Sequence, residues 1–342
     1  MKKYLIPNEG KFYKANLHIH TTMSDGRETP EEVKAAYKAA GYSVVAFTDH
    51  EIMLDHSDLA DEDFLPITSF EKSINAVSPA TGFPHHRKTA HLNFLSKDPH
   101  KLACSVMNPA TTWGNAKEHI SEELKKYSYD AEYTTECLND VIARANREGF
   151  LVTLNHPVWS LQNYEDYIGL KGLWGLEVYN TGCALMGCPD TVQPLDDLLR
   201  VNENVFPLAT DDAHSPADHF GGYVMIKAQS LAYPEVMDAL ERGDFYASTG
   251  AEIRSLYVDG NKLVVDCSPA RSVTVCTECR SNMHRTALYA GHITHAEFDL
   301  SGYFAGCAEE LTGRRAYIRV VVTGADGSSA YTRAYGLKEL KA

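Results

Sequence analysis

Residues 29–50 read TPEEVKAAYKAAGYSVVAFTDH and join a helix signal to a strand signal. Thr29 is placed to cap the helix, with Pro30 at its first position and Glu32 completing a capping box. Gly41 is placed to end the helix. The SVVAFTDH segment that follows is an apolar run of strand length that ends in polar residues. A helix followed by a buried strand is the repeating unit of an α/β sheet.

The same unit recurs further along the chain. ECLNDVIARANREG (136–149) predicts a helix and precedes FLVTLNHP (150–157), and GLEVYN (175–180) and VFPLATDDAH (205–214) predict further strands. Strands that alternate with helices predict a parallel sheet. Several of these strands turn polar at the C-terminal end, the end at which α/β barrels place their sites. We therefore assign residues 1–250 to an α/β domain.

The region after residue 250 has a different pattern. Its apolar segments are short and alternating, and Asp259-Gly260 and Asp326-Gly327 are hairpin turn signals. No long amphipathic helix is visible there. We predict that residues 251–342 form a small antiparallel, sandwich-like β domain.

Charge and composition limit the classes of partner. The 342 residues carry a formal net charge of −14, which argues against broad nucleic-acid binding. An anionic substrate remains compatible, because bound divalent cations reverse the local field. No apolar run of about 18 residues predicts a membrane span. The first residues lack the apolar core of a signal peptide, so we expect a cytoplasmic protein with reduced cysteines. The oligomeric state stays open.

Histidines and carboxylates gather at the predicted strand ends. His18 and His20 lie two residues apart, so in a strand their imidazoles face the same way. Mixed imidazole and carboxylate ligands suit Zn, Mn or Fe. Each histidine alone is more often an ordinary surface or core residue, and the joint occurrence is what predicts a multinuclear metal site. The predicted ligands are His18, His20, Asp25, His50, Glu71, His91, His156, Asp212 and His214.

These motifs and their order resemble the PHP (polymerase and histidinol phosphatase) family. LHIHTTMSDG, AFTDHE, a glutamate near residue 70, an isolated histidine, NHP and a late DAH carry the resemblance over about residues 10–250. It implies a distorted (βα)7 TIM-like barrel with three metal ions, and the tail resembles the β domain of a bacterial two-domain branch. The implied ligand sets are His18, His20, Glu71 and Asp212 for one ion, Glu71, His91 and His156 for a second, and Asp25, His50 and His214 for a third.

The resemblance implies a metal-dependent phosphoric ester hydrolase for a small phosphorylated metabolite or nucleotide. The hypothesis for its mechanism is attack by a metal-bridging hydroxide. Two alternatives stay open, since a metal site does not fix the bond that is cleaved. One is hydrolysis of an amide or a lactone on the same scaffold. The other is a non-catalytic, metal-loaded binding module.

Residues that contact the substrate are less well defined by the sequence. We predict His219 and Arg87 as catalytic residues, because His219 follows the DAH motif and Arg87 lies between two predicted ligands. Further candidates for the substrate pocket are Lys72, Lys88, His85 and His86. Asp49 and Asp211 either orient an imidazole or cap a helix. Trp113, Trp159 and Trp174 either line a pocket for a ring or pack in the core.

Overall fold

The computed structural model describes residues 2–77, 87–188, 191–201, 203–289, 291–306 and 315–341. Its helices are α1 (Pro30–Ala39), α2 (Thr135–Arg147), α3 (Tyr164–Tyr167), α4 (Thr181–Leu185), α5 (Gln193–Arg200), α6 (Tyr233–Arg242), α7 (Ser301–Gly306) and α8 (Leu337–Lys341). Its strands are β1 (Lys2–Tyr4), β2 (Lys11–Asn16), β3 (Val44–Phe47), β4 (Leu65–Asn75), β5 (Thr89–Ser96), β6 (Phe150–Leu154), β7 (Gly175–Asn180), β8 (Phe206–Thr210), β9 (Tyr223–Ala228), β10 (Phe245–Ser248), β11 (Ile253–Asp259), β12 (Lys262–Thr277), β13 (Met283–Thr286), β14 (Ile293–Asp299), β15 (Tyr317–Gly324), β16 (Ser329–Thr332) and β17 (Tyr335–Gly336).

The α1–β3 unit forms as predicted. The Thr29 side chain accepts the backbone N–H of Glu32, and the Glu32 side chain accepts the N–H of Thr29. Val33 and Tyr37 bury the inner face of α1, and all four residues of β3 are buried. A strand that is buried on both faces needs an apolar run, which explains the sequence of this segment.

The fold is mixed α/β with a large sheet that is richer in strands than the sequence indicates. β2, β3 and β4 pair in parallel, as do β6, β7 and β8. The predicted parallel pairing does not extend to β5, which runs antiparallel to both β4 and β6. Two parallel strands need a connection that crosses over the sheet, usually through a helix, whereas antiparallel neighbours do not. Among the described residues between β4 and β5 there is no helix, which fits their antiparallel pairing.

The strands after β8 pair in antiparallel fashion and continue the same sheet. β9 pairs with β2 and β10, and β10 also pairs with β16. The 16-residue β12 pairs in antiparallel fashion with β11, β13, β14 and β15. The N-terminal β1 pairs with β11 and thereby joins the start of the chain to the strands that follow residue 250. Within the described part of the chain, no helix is both long and apolar enough to span a membrane.

Candidate metal centre

The predicted ligands lie within strands or in the segments that follow strands in the first part of the chain. His18 and His20 follow β2, His50 follows β3, and His156 follows β6. Glu71 lies within β4 and His91 within β5, whereas Asp212 and His214 follow β8. Two bridges hold the ends together, one between Ile19 and Ala213 and one between His50 and Glu71. Residues up to 196 positions apart in the chain (18 to 214) thus meet in one place.

The first group of donors contains His18, His20, Glu71 and Asp212. The two Nε2 atoms of His18 and His20 lie 3.2 Å apart, and Oδ1 of Asp212 lies 3.1 Å from each of them. The Glu71 oxygens lie 3.3 Å and 3.4 Å from the same two nitrogens. A tetrahedral ion with bonds of about 2.0–2.1 Å separates its ligand atoms by about 3.3–3.4 Å. The donor set therefore fits a cation without a large rearrangement.

A second group is formed by Glu71, His91 and His156. Oε1 of Glu71 lies 3.1 Å from Nδ1 of His91 and 3.6 Å from Nε2 of His156. The same carboxylate takes part in the first group, so the two groups of donors share Glu71.

The third group is more open than the other two. Oδ2 of Asp25 lies 3.3 Å from Nε2 of His214 and 3.8 Å from Nε2 of His50, and the Asp25 side chain is 28% exposed. The structure thus brings all nine predicted ligands together, and this group lies on the solvent side.

Two imidazole nitrogens at the site carry no hydrogen bond although they are buried. They are Nδ1 of His20 and Nδ1 of His50, and no described residue is a hydrogen-bonding partner for either atom. Each lies near a carboxylate oxygen, 3.6 Å from Asp25 and 3.1 Å from Glu71 respectively. A buried nitrogen that approaches an oxygen without hydrogen-bond geometry is what a site for a cation between them requires. This observation supports the fit of a metal to the donor set.

Charge is concentrated in this cluster. Burial opposes ionisation of Glu71, but the surrounding imidazoles, His91 and His18 foremost, hold its pKa well below the usual range. Burial likewise opposes protonation of His214, but Asp25 and a second carboxylate raise the pKa of its imidazole to about 9. The carboxylate of Glu71 is therefore ionised at neutral pH, and divalent ions bound among these side chains would supply positive charge in place of the protons on the imidazoles.

Glu177 in β7 is a functional candidate that the sequence analysis missed. Its Oε1 lies 2.7 Å from Nδ1 of His18 and accepts the Thr210 hydroxyl at 2.7 Å. Its Oε2 accepts the backbone N–H of His156 and the side-chain amide of Asn180, both at 2.9 Å. Glu177 thereby fixes the His18 tautomer so that Nε2 is free to coordinate. The only available signal was a lone glutamate within an apolar strand.

Asp49 and Asp211 hold loops rather than imidazoles. Asp49 accepts the N–H and the hydroxyl of Thr21 and the hydroxyl of Ser24, and so fixes the loop that carries Asp25. Asp211 accepts the hydroxyl of Tyr37 and the backbone N–H groups of residues 220–222. In the part of the chain that the structure describes, neither carboxylate accepts a hydrogen bond from a ligand histidine.

The backbone is strained at two ligands. Asp212 has a backbone φ of 50° and His156 a φ of 28°, values that residues other than glycine rarely adopt. Such strain persists only where the surroundings over-determine the conformation, and it is common at functional sites. Both residues turn the chain sharply just after a strand, which aims their side chains into the cluster.

A cavity of about 580 Å³ opens over the cluster. Ligands from all three groups line its floor, and Trp113, Trp159, Leu185 and Met186 form its walls. Of the three tryptophans, Trp174 instead packs in the core, where its indole N–H donates to the carbonyl of Leu240.

The predicted substrate-contacting residues are placed elsewhere or remain untested. The imidazole of His219 pairs with Glu28 at 2.9 Å and lies against the ring of Tyr37. Neither His219 nor Arg87 is among the described residues that line the cavity, and their catalytic roles stay predictions. Two lysines are held by carboxylates, Lys72 by Glu51 at 3.2 Å and Lys88 by Asp166 at 2.7 Å. His85 and His86 lie outside the described residues.

The fold and the site together define an α/β protein with a candidate multinuclear metal centre. Residues 16–179 match the family model of the PHP domain. This part of the chain is therefore similar to the PHP domain, and the resemblance seen in the sequence is confirmed. Asp212 and His214 lie beyond the matched residues.

The solved structures to which the chain is similar share little sequence with it. A two-domain protein from Bacteroides vulgatus that contains a predicted PHP-like metal-dependent phosphoesterase is 14% identical, with 97% of this chain and 98% of that one covered and a TM-score of 0.42. A lesion-specific endonuclease from Pyrococcus furiosus is 16% identical, with 67% and 56% covered and a TM-score of 0.39. An amidohydrolase from Chromobacterium violaceum is 16% identical, with 60% and 88% covered and a TM-score of 0.37. No curated protein matches the chain.

Proposed function

We propose that this protein is a metal-dependent phosphoesterase that acts on a small phosphorylated metabolite. The observation that carries the proposal is the charge of the cavity floor. Three carboxylates, those of Asp25, Glu71 and Asp212, lie there, while no Lys or Arg occurs among the described residues that line the cavity. An anionic substrate can bind to such a floor only after cations have reversed its field. The PHP domain match supports the same reading.

The proposal includes three metal ions, one for each group of donors, with Mn, Zn or Fe as the candidates. When bound, divalent ions supply Lewis acidity, lower the pKa of coordinated water and neutralise charge on a phosphoryl group. Glu71 is the residue that belongs to two groups. Glu177 orients His18, and the Ser160 hydroxyl lies 3.1 Å from Nδ1 of His156 and so orients that ring.

The protein's own part in the reaction is to orient ligands and to exclude water. His18, Glu71 and His156 are almost completely buried, so charges at the floor interact in a medium of low polarity. The apolar walls keep bulk water away from a bound ester. The strand order from β2 to β8 and the bridge between Ile19 and Ala213 support a distorted (βα)7 barrel as the scaffold. The assignment of residues 251–342 to a separate β domain stays a prediction. The cytoplasmic location also stays a prediction.

The test is phosphate release by protein that has been stripped with a chelator and reloaded with Mn, Zn or Fe. The substrates are a panel of nucleotides, nucleoside 3′,5′-bisphosphates and sugar phosphates. We expect turnover only with metal, and a loss of at least about 100-fold in the double variant Asp212→Asn, His214→Ala, because both residues belong to the donor groups. The control is His295→Ala, since His295 is exposed and pairs with Asp266. If the loaded protein holds metal but releases phosphate from no ester, the proposed function is wrong.

A further inference from the structure

Large apolar side chains are concentrated at the mouth of the cavity. Trp113 and Trp159 are 41% and 37% exposed, and Leu185 and Met186 are each 63% exposed. Exposed apolar residues usually occur singly, whereas a group of them in a concave surface marks a place for a ligand. Here the group lies directly above the metal-ligand cluster.

Both indoles touch ligand imidazoles. The ring centroid of Trp113 lies 4.9 Å from that of His50. The ring of Trp159 lies 5.0 Å from His156 and 5.4 Å from His91. A phosphate held over the cluster would therefore extend its ester group along these two faces.

The positions of the two tryptophans are fixed by the loops that build the site. Trp159 precedes Ser160, whose N–H donates to the carbonyl of His156 and whose hydroxyl contacts the same imidazole. Trp113 is followed within two residues by Asn115, whose amide donates to the carbonyl of Thr22 in the loop before Asp25. The walls are thus tied to the ligands and present a preformed surface.

The walls discriminate against additional charge. Besides the ligand carboxylates, Asp218 lines the cavity, and no described lining residue is a lysine or an arginine. The nearby lysines Lys72 and Lys88 are occupied by Glu51 and Asp166. Among the described lining residues, a second phosphate on the substrate would therefore find no lysine or arginine as a partner.

We infer that Trp113 and Trp159 select a phosphate monoester whose ester group carries a flat, uncharged ring, over sugar phosphates and bisphosphates. This inference rests on the proposed function and names the substrate class of the same site. Stacking of a planar ring on an indole contributes roughly a 5- to 100-fold preference per contact. The indole faces of Trp113 and Trp159 together favour a single ring or a pair of fused rings.

The test compares 2-(1-naphthyl)ethyl phosphate with ethyl phosphate, because the two leaving alcohols have similar basicity and differ in the ring. We expect the native protein to show a kcat/KM at least about tenfold higher for the naphthyl ester. Trp113→Ala and Trp159→Ala should each bring the ratio of kcat/KM for the naphthyl ester to kcat/KM for ethyl phosphate close to one, mainly by raising KM for the naphthyl ester. Trp113→Phe and Trp159→Phe should retain most of it, because a ring face remains.

The outcomes separate the inference from the proposed function. If both esters are cleaved equally well, or if the alanine variants lose activity on both esters alike, the inference fails and the proposed function stands. If neither ester is cleaved, the proposed function fails for this class. In that case the inference is decided by binding of 2-(1-naphthyl)ethylphosphonate and ethylphosphonate to the metal-loaded protein, measured by calorimetry. Equal affinities overturn the inference, and affinity at least about tenfold tighter for the naphthyl compound supports it.

Discussion

Oε1 of Glu177 lies 2.7 Å from Nδ1 of His18, and both side chains are almost completely buried. The contact places a proton between them and leaves Nε2 of His18 facing the other donors of the first group. Because the second Glu177 oxygen accepts the N–H of His156, one carboxylate positions ligands of two groups. A residue outside the three predicted ligand sets thereby orients ligands in two of them.

We predict that Glu177→Gln lowers metal affinity by about 10- to 100-fold without unfolding the protein. The carboxylate accepts from four donors, and an amide would turn its own N–H groups towards some of them. The measurement is equilibrium dialysis of the stripped protein against Mn or Zn, with circular dichroism as a check of folding. Glu122→Gln is the control, since Glu122 is exposed. An unchanged affinity in Glu177→Gln would show that His18 is held without this contact.

Gly26 is required by close packing in the loop that carries Asp25. A Cβ at this position would lie 2.4 Å from the carbonyl oxygen of His20 and 2.7 Å from the backbone nitrogen of Thr21. We predict that Gly26→Ala pushes the loop away from the third group and lowers the bound metal by one ion per chain. The measurement is elemental analysis of the purified protein, with thermal unfolding recorded in parallel.

The matched control for this change is Gly302→Ala, because no atom lies within 4 Å of a Cβ at that position. It should keep full metal content. Full metal content in Gly26→Ala would mean that the loop moves without losing its ligand, and would contradict the prediction.

The first helix, the buried strands and the ligand cluster could be anticipated because their signals are local. The capping box at Thr29 and the apolar run before His50 each span a few residues, and both appear as predicted. The His-x-His pattern at residues 18 and 20 follows from the geometry of a single strand. The match to the PHP domain model covers residues 16–179 and supports the resemblance that these local motifs indicate.

What the sequence could not show depends on pairing between distant segments. The antiparallel direction of β5 follows from how β4 continues into it, and an apolar strand carries no mark of its direction. The role of Glu177 depends on His18, 159 positions away. His219 follows the DAH motif closely, but its imidazole faces Glu28. Sequence proximity to a motif did not determine the direction of that side chain.

A buried ion pair connects α5 with β15. Nε and Nη2 of Arg319 each lie 2.7 Å from an oxygen of Asp196, and the arginine side chain is 3% exposed. We predict that Arg319→Met destabilises the protein by about 3–5 kcal/mol, because it leaves the Asp196 carboxylate without its partner. The measurement is urea unfolding of the metal-loaded protein.

The double variant Arg319→Met, Asp196→Leu is the control for this pair. It removes both charges, so we expect it to recover most of the lost stability. Arg254→Met should change stability little, since Arg254 is exposed and pairs loosely with Glu252. A double variant no more stable than Arg319→Met would show that packing of the arginine, and not its charge, stabilises this contact.

The carboxylate of Asp166 predicts a pH dependence of stability away from the metal centre. Burial raises its pKa, but Lys88, the backbone N–H of Asn163 and the hydroxyl of Tyr133 together lower the pKa below the ordinary value of 3.8. A group whose pKa is depressed by folding stabilises the protein above its unfolded pKa, and this contribution is lost as the pH falls through the folded pKa.

We predict that Asp166→Asn costs about 1–2 kcal/mol at pH 7. The deficit relative to the native protein should begin to shrink as the pH falls below about 4, where the carboxylate of the unfolded chain takes up its proton, and should go on shrinking until the folded carboxylate is neutral as well. Urea unfolding between pH 3 and pH 7 measures it, with Lys88→Met as the control. Lys88 is 39% exposed, so its loss should cost less than the loss of the carboxylate at pH 7. A deficit in Asp166→Asn that stays constant down to pH 3 would show that the ionised form of Asp166 contributes nothing.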